Sequence, residues 1–218
     1  MFIEVDNLKK SYGQTEVLRG LNFGIEKSQE VAIVGQSGSG KSTLLYVMGA
    51  LETVGSGNVK IDGQDIAKLN DEELARFRNN KIGFVFQFHF LLPSMTCLDN
   101  TLLPAKIGGH KSKHIKERVF KFAKILKVEH CLKKFPFELS GGEQQRINII
   151  RAISLSPSLL LCDEPTGNLD SENSAIVLDL LRTVADEIDS TLVMVTHDNK
   201  ISDSFQRKIT IEDGQIIS

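Results

Sequence analysis

The sequence predicts an α/β fold: a mainly parallel sheet with flanking helices, a small antiparallel β subdomain near the N-terminus, and an α-helical lobe inserted into the core. Three observations predict it. Residues 31–34 (VAIV), 82–86 (IGFVF), 159–162 (LLLC) and 192–195 (LVMV) are short, continuous apolar runs. Residues 2–5 and 21–25 alternate apolar with polar or small residues instead. Between Gln87 and Leu159 the pattern turns helical, with Pro93, Pro104 and Pro136 as breaks.

Taken in order, the alternating segments read as strands of a sheet with one wet face. Asn58-Val59-Lys60-Ile61-Asp62-Gly63 reads as a third such strand running into an Asp-Gly turn. The continuous runs read as strands buried on both faces, the mark of a parallel sheet covered by helices. Each of these runs ends at a polar residue: Gly35, Gln87, Asp163 and Thr196-His197. Open α/β sheets bind ligands outside the carboxyl ends of their strands, so the four ends are expected to converge on one ligand site. The expected organisation is a single nucleotide-binding domain over residues 1–218. Within it, 1–87 and 159–218 make the core and antiparallel sheet, and 88–158 the helical lobe.

Composition fits this. The chain has 218 residues, 41% hydrophobic and 25% charged, and its net charge of −2 argues against a nucleic-acid partner. Cys97, Cys131 and Cys162 lack metal-ligand spacing and read as buried thiols in a reducing compartment. The N-terminus is too acidic for a signal peptide, and the longest apolar stretch, roughly 82–93, is too short to span a bilayer. A membrane role would therefore need docking on another chain that spans it. Residues 106–134 hold ten Lys or Arg against two acids. Ile115, Val119, Phe122 and Leu126 recur there at helical spacing, so the run reads as the solvated face of an amphipathic helix. Contact with anionic headgroups or an acidic partner is the alternative.

Gly35-Gln36-Ser37-Gly38-Ser39-Gly40-Lys41-Ser42 matches G-x-x-x-x-G-K-[ST]. Glycines let such a loop wrap phosphate with backbone N–H groups, and the following helix adds the positive end of its dipole. Lys41 is expected on the β- and γ-phosphates and Ser42 on Mg²⁺. An ordinary Gly/Ser turn is the alternative. The apolar strand before the motif and the apolar helix after it, from Thr43 on, are the context of a P-loop NTPase. Asp163 and Glu164 then follow a charge-free strand. Asp163 stands where Mg²⁺ needs a ligand, and Glu164 where a base could orient or deprotonate water.

Leu139-Ser140-Gly141-Gly142-Glu143-Gln144-Gln145-Arg146 adds a second signature. Ser140 and Glu143 form an S-x-x-E capping box ahead of an apolar run. Two glycines in a first helical turn cost about 1 kcal/mol each against Ala. They make sense where an anion approaches that turn, which implies a second phosphate site.

With these motifs in place the chain resembles the ATP-binding cassette of ABC transporters over nearly its whole length. The resemblance implies a homodimer that sandwiches ATP, with Ser140, Gly141 and Gly142 of one subunit closing on the γ-phosphate bound by residues 35–43 of the other, Thr43 included. It implies that Tyr12 stacks on adenine, that Gln87 touches Mg²⁺ and the attacking water and senses the membrane partner, and that Gly167-Asn168-Leu169-Asp170 crosses the dimer interface, with Asp170 near the nucleotide. It makes His197 the histidine that contacts the γ-phosphate. Cys162 departs from the aliphatic residue expected before Asp163. Phe86-Gln87-Phe88-His89-Phe90-Leu91-Leu92-Pro93, His89 above all, together with Phe77-Arg78-Asn79-Asn80-Lys81-Ile82-Gly83-Phe84, resembles the lipoprotein-release ATPases of Gram-negative bacteria. Macrolide and peptide exporters and a cell-division module that moves no cargo carry similar segments and stay open as alternatives. The resemblance implies ATP and Mg²⁺ as cofactors. It implies transmembrane permease subunits docking near Gln87 and the helical lobe, and a peripheral position on the cytoplasmic face of the inner membrane.

Overall fold

The computed structural model describes residues 1–217. In chain order its elements are β1 (Ile3–Tyr12), β2 (Thr15–Ile25), β3 (Glu30–Val34), α1 (Lys41–Met48), β4 (Ser56–Ile61), β5 (Gln64–Asp65), α2 (Asp71–Lys81), β6 (Ile82–Phe86), α3 (Cys97–Ile107), α4 (Ser112–Ile125), α5 (Gly141–Ile153), β7 (Leu159–Asp163), α6 (Ser171–Glu187), β8 (Thr191–Val195), α7 (Asn199–Asp203), β9 (Arg207–Glu212) and β10 (Gln215–Ile216). The chain divides into two compact units: Met1–Arg78 together with the chain from Thr191 on, and Asn79–Ser190.

In the first unit, β2, β1, β4 and β5 form an antiparallel sheet in that order. β1 and β2 are each about twice as long as their alternation suggested. Asn7 explains why. It sits at φ 47°, its N–H donates to Asn22 Oδ1 at 2.9 Å, and the β1–β2 register shifts between Val5 and Leu8. This bulge moves the buried positions from Ile3 and Val5 to Leu8 and Lys10, so one strand carries two phases of a single alternation. The second sheet of this unit centres on β3, whose Val31, Ala32 and Ile33 are fully buried. β3 pairs in parallel with β8 on one side and β9 on the other. β9 lacks a continuous apolar run: only Ile209 and Ile211 are buried, alternating with Lys208, Thr210 and Glu212. An Asp213-Gly214 turn returns the chain to β10, antiparallel to β9.

In the second unit β6 and β7 pair in parallel, with Ile82 opposite Leu159 and Phe86 opposite Asp163. Around this pair lie α3, α4, α5 and α6. Thr96 caps α3, its hydroxyl accepting the Asp99 N–H at 3.2 Å. Pro104 does not break the chain as expected but lies inside α3. Standing in the last turn, it forgoes one backbone bond, and its carbonyl still accepts from Gly108 N and from Asn79 Nδ2. The middle of the basic run becomes α4 as its periodicity predicts: Ile115, Val119, Phe122 and, just past its end, Leu126 are buried, while Lys106 falls in α3 and Lys127, Lys133 and Lys134 lie beyond α4. Its other face is solvated, and Lys121 there pairs with Glu187. Cys97, Cys131 and Cys162 are buried and free.

β6 meets α5 with no room to spare. A Cβ at Gly83 would lie 2.5 Å from the Ala152 carbonyl oxygen and 2.9 Å from Pro157 Cγ. Gly83→Ala is therefore expected to cost about 1–3 kcal/mol through overpacking. Urea denaturation would show this as a lowered midpoint, and an unchanged midpoint would contradict the packing described.

Candidate functional site

In the first unit the predicted residues gather at the carboxyl ends of β3 and β8. Because these strands run in parallel with Ile33 opposite Val195, the loop 35–40 and the pair Thr196-His197 leave the sheet side by side. The Thr196 N–H donates to the Ile33 carbonyl at 3.3 Å. The loop is pressed from behind. A Cβ at Gly35 would sit 2.1 Å from the Ile211 carbonyl oxygen. Gly40 holds φ 103° at the mouth of α1, a conformation that excludes L side chains. Gly214 N–H donates to the Ser39 carbonyl at 3.2 Å, tying the loop to the β9–β10 turn. At Gly38, by contrast, a Cβ would meet nothing within 4 Å.

Among the described residues no side chain caps α1, and its first turn holds no acid. Other helix starts in the chain differ: Ser140, Asp170 and Asp198 cap α5, α6 and α7. Lys41 is buried, and its ammonium donates to the Gln36 carbonyl at 2.7 Å, lying back across the loop. Ser39 Oγ is buried with no hydrogen-bond partner among the described residues. A loop with an open face, an uncapped helix start and a buried ammonium behind it is a receptacle for phosphate. In the same unit Tyr12 ends β1 and is 46% exposed, with Lys10 Nζ 5.3 Å from its ring centroid.

In the second unit the ends of β6 and β7 carry Gln87 and Glu164. Phe86 lies opposite Asp163, so both residues are one step past paired positions. Glu164 takes φ 46°, a left-handed backbone that costs a non-glycine residue roughly 1 kcal/mol or more, and such strain clusters at functional sites. Gln87 and Asn168 exchange amide hydrogen bonds: Gln87 Nε2 to Asn168 Oδ1 at 3.2 Å, and Asn168 Nδ2 to the Gln87 carbonyl at 3.3 Å. Asp170 caps α6, accepting the Asn173 N–H at 2.9 Å.

Three further residues hold this half together, and the sequence reading gave them no role. Gln145 and Asn148 are fully buried on α5, and Arg151 follows at the same three-residue step. Gln145 Nε2 donates to the Pro165 carbonyl at 2.5 Å, and Asn148 Nδ2 to the Phe86 carbonyl at 3.4 Å. Arg151 donates to the carbonyls of His89 at 2.7 Å and Phe90 at 2.6 Å. The available signal was a polar i, i+3, i+6 row between Ile147, Ile149 and Ile150.

At the start of α5 the capping box forms as predicted. Ser140 Oγ accepts the Glu143 N–H at 3.4 Å, while Glu143 Oε2 accepts from Ser140 N at 2.9 Å and from its hydroxyl at 2.8 Å. The Ser140 N–H and hydroxyl, then the His130 imidazole, hold the Glu143 carboxyl at about 2, well below its usual value. A Cβ at Gly141 would meet nothing within 4 Å, and one at Gly142 only ordinary contacts from 3.8 Å. The chain's own packing therefore does not ask for either glycine.

Comparison with known proteins agrees with this geometry. The family model described as ABC transporter matches residues 18–167. A lipoprotein-releasing system ATP-binding protein LolD from Geobacter metallireducens is 44% identical, over 99% of this chain and 98% of its own length. Its namesake from Cytophaga hutchinsonii is 40% identical, over 99% and 98%. A dimeric, post-hydrolysis structure of the ATP-binding cassette MJ0796 bound to ADP and phosphate superposes with a TM-score of 0.89 at 36% identity, covering 99% of this chain and 97% of that one. The chain belongs to the ABC transporter family, as an ATP-binding and ATP-hydrolysing subunit.

The depressed Glu143 carboxyl gives a pH test. A carboxylate held below its unfolded value stabilises the fold fully above about pH 4.5, and this contribution is lost as pH falls through about 2. The stability difference between the native chain and Glu143→Gln should be constant above pH 4.5 and shrink on acidification towards 2. Urea midpoints measured across that range check it; a constant difference down to pH 2 would contradict the assignment.

Proposed function

We propose that two copies of this chain close over two ATP molecules, and that closure and hydrolysis drive a transmembrane partner that releases lipoproteins from the inner membrane. The observation that carries the nucleotide half is the uncapped start of α1 beneath an open glycine loop, with the Lys41 ammonium behind it. In this reading residues 35–43 wrap the phosphates, Lys41 neutralises the β- and γ-oxygens, and Tyr12 offers its exposed ring to the base. Ser42, Asp163 and Gln87 each offer a hard oxygen donor of the kind that holds Mg²⁺, which would supply positive charge at the phosphates. Glu164 orients and deprotonates the attacking water, and His197 steadies the γ-phosphate as charge develops. Ser140, Gly141 and Gly142 serve the partner's nucleotide, and Asp170 lies at the dimer contact. The bare outward face of Gly141 and Gly142 supports this: a γ-phosphate could approach that turn closely.

The membrane partner docks beside Gln87 and the helical segment 88–158. Phe88 and Phe90 are 63% and 65% exposed directly after Gln87, with ring centroids 6.3 Å apart. Exposed aromatic clusters of this kind mark protein contacts. Among the described residues no helix is long and apolar enough to cross a membrane. The relatives named for lipoprotein release support that cargo. A macrolide or peptide exporter, or a module that signals without cargo, would share the same nucleotide chemistry. Release of lipoprotein from vesicles containing the copurifying membrane partner separates them.

Glu164→Gln keeps size but removes the base, and should cut phosphate release by roughly 10²-fold or more while an ATP-bound dimer accumulates in size-exclusion chromatography. Turnover near the native rate would sink the role given to Glu164. Ser140→Arg should leave nucleotide binding by the monomer intact and stop turnover. Mixed with Lys41→Ala subunits it should regain activity, since one composite site of the mixed dimer then has a normal loop facing a normal Ser140. Weakened nucleotide binding by the isolated Ser140→Arg monomer would count against sites shared between subunits.

A further inference from the structure

Outside the nucleotide machinery, one group of side chains has the composition and spacing of a metal site. His130 Nε2 lies 2.9 Å from Glu143 Oε1, and Cys131 Sγ donates to the same oxygen at 3.4 Å. The three ligand atoms all fall within 4.8 Å of one another. Two donors thus converge on one carboxylate oxygen, and a dication can take the place of their protons. Zinc binds imidazole nitrogen at about 2.0 Å, carboxylate oxygen at about 2.1 Å and thiolate at about 2.3 Å, so tetrahedral coordination needs N···O near 3.3 Å and S···O near 3.6 Å. The N···O and S···O pairs must open by a few tenths of an ångström, and the N···S pair, within 4.8 Å, must come to about 3.5 Å, a movement within reach of the exposed His130 ring.

We propose that His130, Cys131 and Glu143 bind a borderline-soft divalent cation, with Zn²⁺ the best match, at the foot of the signature turn. The donor set selects this class. One thiolate and one carboxylate balance the two positive charges, and the neutral imidazole completes a set that hard cations such as Mg²⁺ disfavour. The carboxylate is oriented from behind, because Glu143 Oε2 is held by the Ser140 N–H and hydroxyl, the kind of outer support that ligands need. Cys131 is seated in a short turn, its N–H bonded to the Val128 carbonyl at 3.0 Å and its own carbonyl to Lys134 N at 2.9 Å. The thiol is buried while His130 is 59% exposed, so solvent reaches the group from the imidazole side. The fourth position is left for water or an exchangeable ligand. Uptake balances as one dication in and the Cys131 thiol proton out, the neutral imidazole keeping its own proton by moving it from Nε2 to Nδ1; burial and Glu143 push the thiol up to about 12 and keep it protonated beforehand.

The test uses the full-length, reduced, nucleotide-free chain titrated with Co²⁺, so it does not depend on the ATPase reading. One equivalent should produce a thiolate-to-cobalt charge-transfer band with tetrahedral d–d absorption, and Zn²⁺ should abolish both. Cys131→Ser should lose the charge-transfer band. His130→Ala, at an exposed position where folding is not at stake, should weaken binding tenfold or more. Cys97→Ala should keep the band. Absence of a band in the folded native chain would overturn the site, as would a band that survives Cys131→Ser, disappears in Cys97→Ala, or is indifferent to His130→Ala.

Discussion

A polar row on one helix face, two of its three members fully buried, governs the second unit. Gln145, Asn148 and Arg151 stand among isoleucines on α5, and each must find a partner or cost about 1–3 kcal/mol in lost solvation. They find the carbonyls of Phe86, His89, Phe90 and Pro165. Those carbonyls lie at the end of β6, in the chain that follows it, and in the loop after β7. The bargain is mutual: the loops gain donors and the helix gains acceptors. Gln87 and Glu164 take their positions from it, since each lies beside a carbonyl so held. The helix that begins with the signature turn is thereby mechanically continuous with both loops, without a side chain of its own touching the reacting atoms.

The first unit solves the opposite problem. A phosphate-binding turn must keep backbone donors turned outward, so nothing in the chain can be allowed to cap them. Packing therefore does the work that a cap does elsewhere. Ile211 presses the loop at Gly35, the Gly214 N–H holds the Ser39 carbonyl, and Lys41 spans back to Gln36. The side-chain caps on α5, α6 and α7 show the ordinary solution elsewhere in the chain. Ser140 combines the two, since its hydroxyl caps its own helix while Gly141 and Gly142 leave the turn bare.

Elements governed by one physical rule were legible in the sequence. β3, β6, β7 and β8 are buried on both faces and announce themselves by unbroken apolarity; α4 announces itself by period; the capping box of α5 by spacing. What stayed hidden involved two rules acting on one stretch. The bulge at Asn7 resets the phase of β1, so its alternation seems to end at Val5. β9 is paired in parallel yet alternates, with only Ile209 and Ile211 buried. Pro104 reads as a breaker but falls where a helix has little left to lose. The row from Gln145 to Arg151 was invisible because its partners are backbone carbonyls distant in sequence, which no side-chain pattern can reveal. Of the candidate site, residues 35–42 and Asp163-Glu164 could be named from pattern alone and Tyr12, Gln87, Asp170 and His197 from resemblance, whereas the Gln87–Asn168 amide exchange needed coordinates.

The bare turn at Gly141 and Gly142 has an evolutionary consequence. Alanine fits at both positions without a clash and is the better helix former by about 1 kcal/mol per site. Selection for thermal stability of the isolated chain would therefore drift towards alanine there, and only selection for turnover by the assembled pair opposes it. If the two glycines serve the partner's nucleotide as proposed, they record a fitness cost borne by the monomer for the sake of the complex, and a laboratory lineage evolved for heat resistance alone should be the first to lose them.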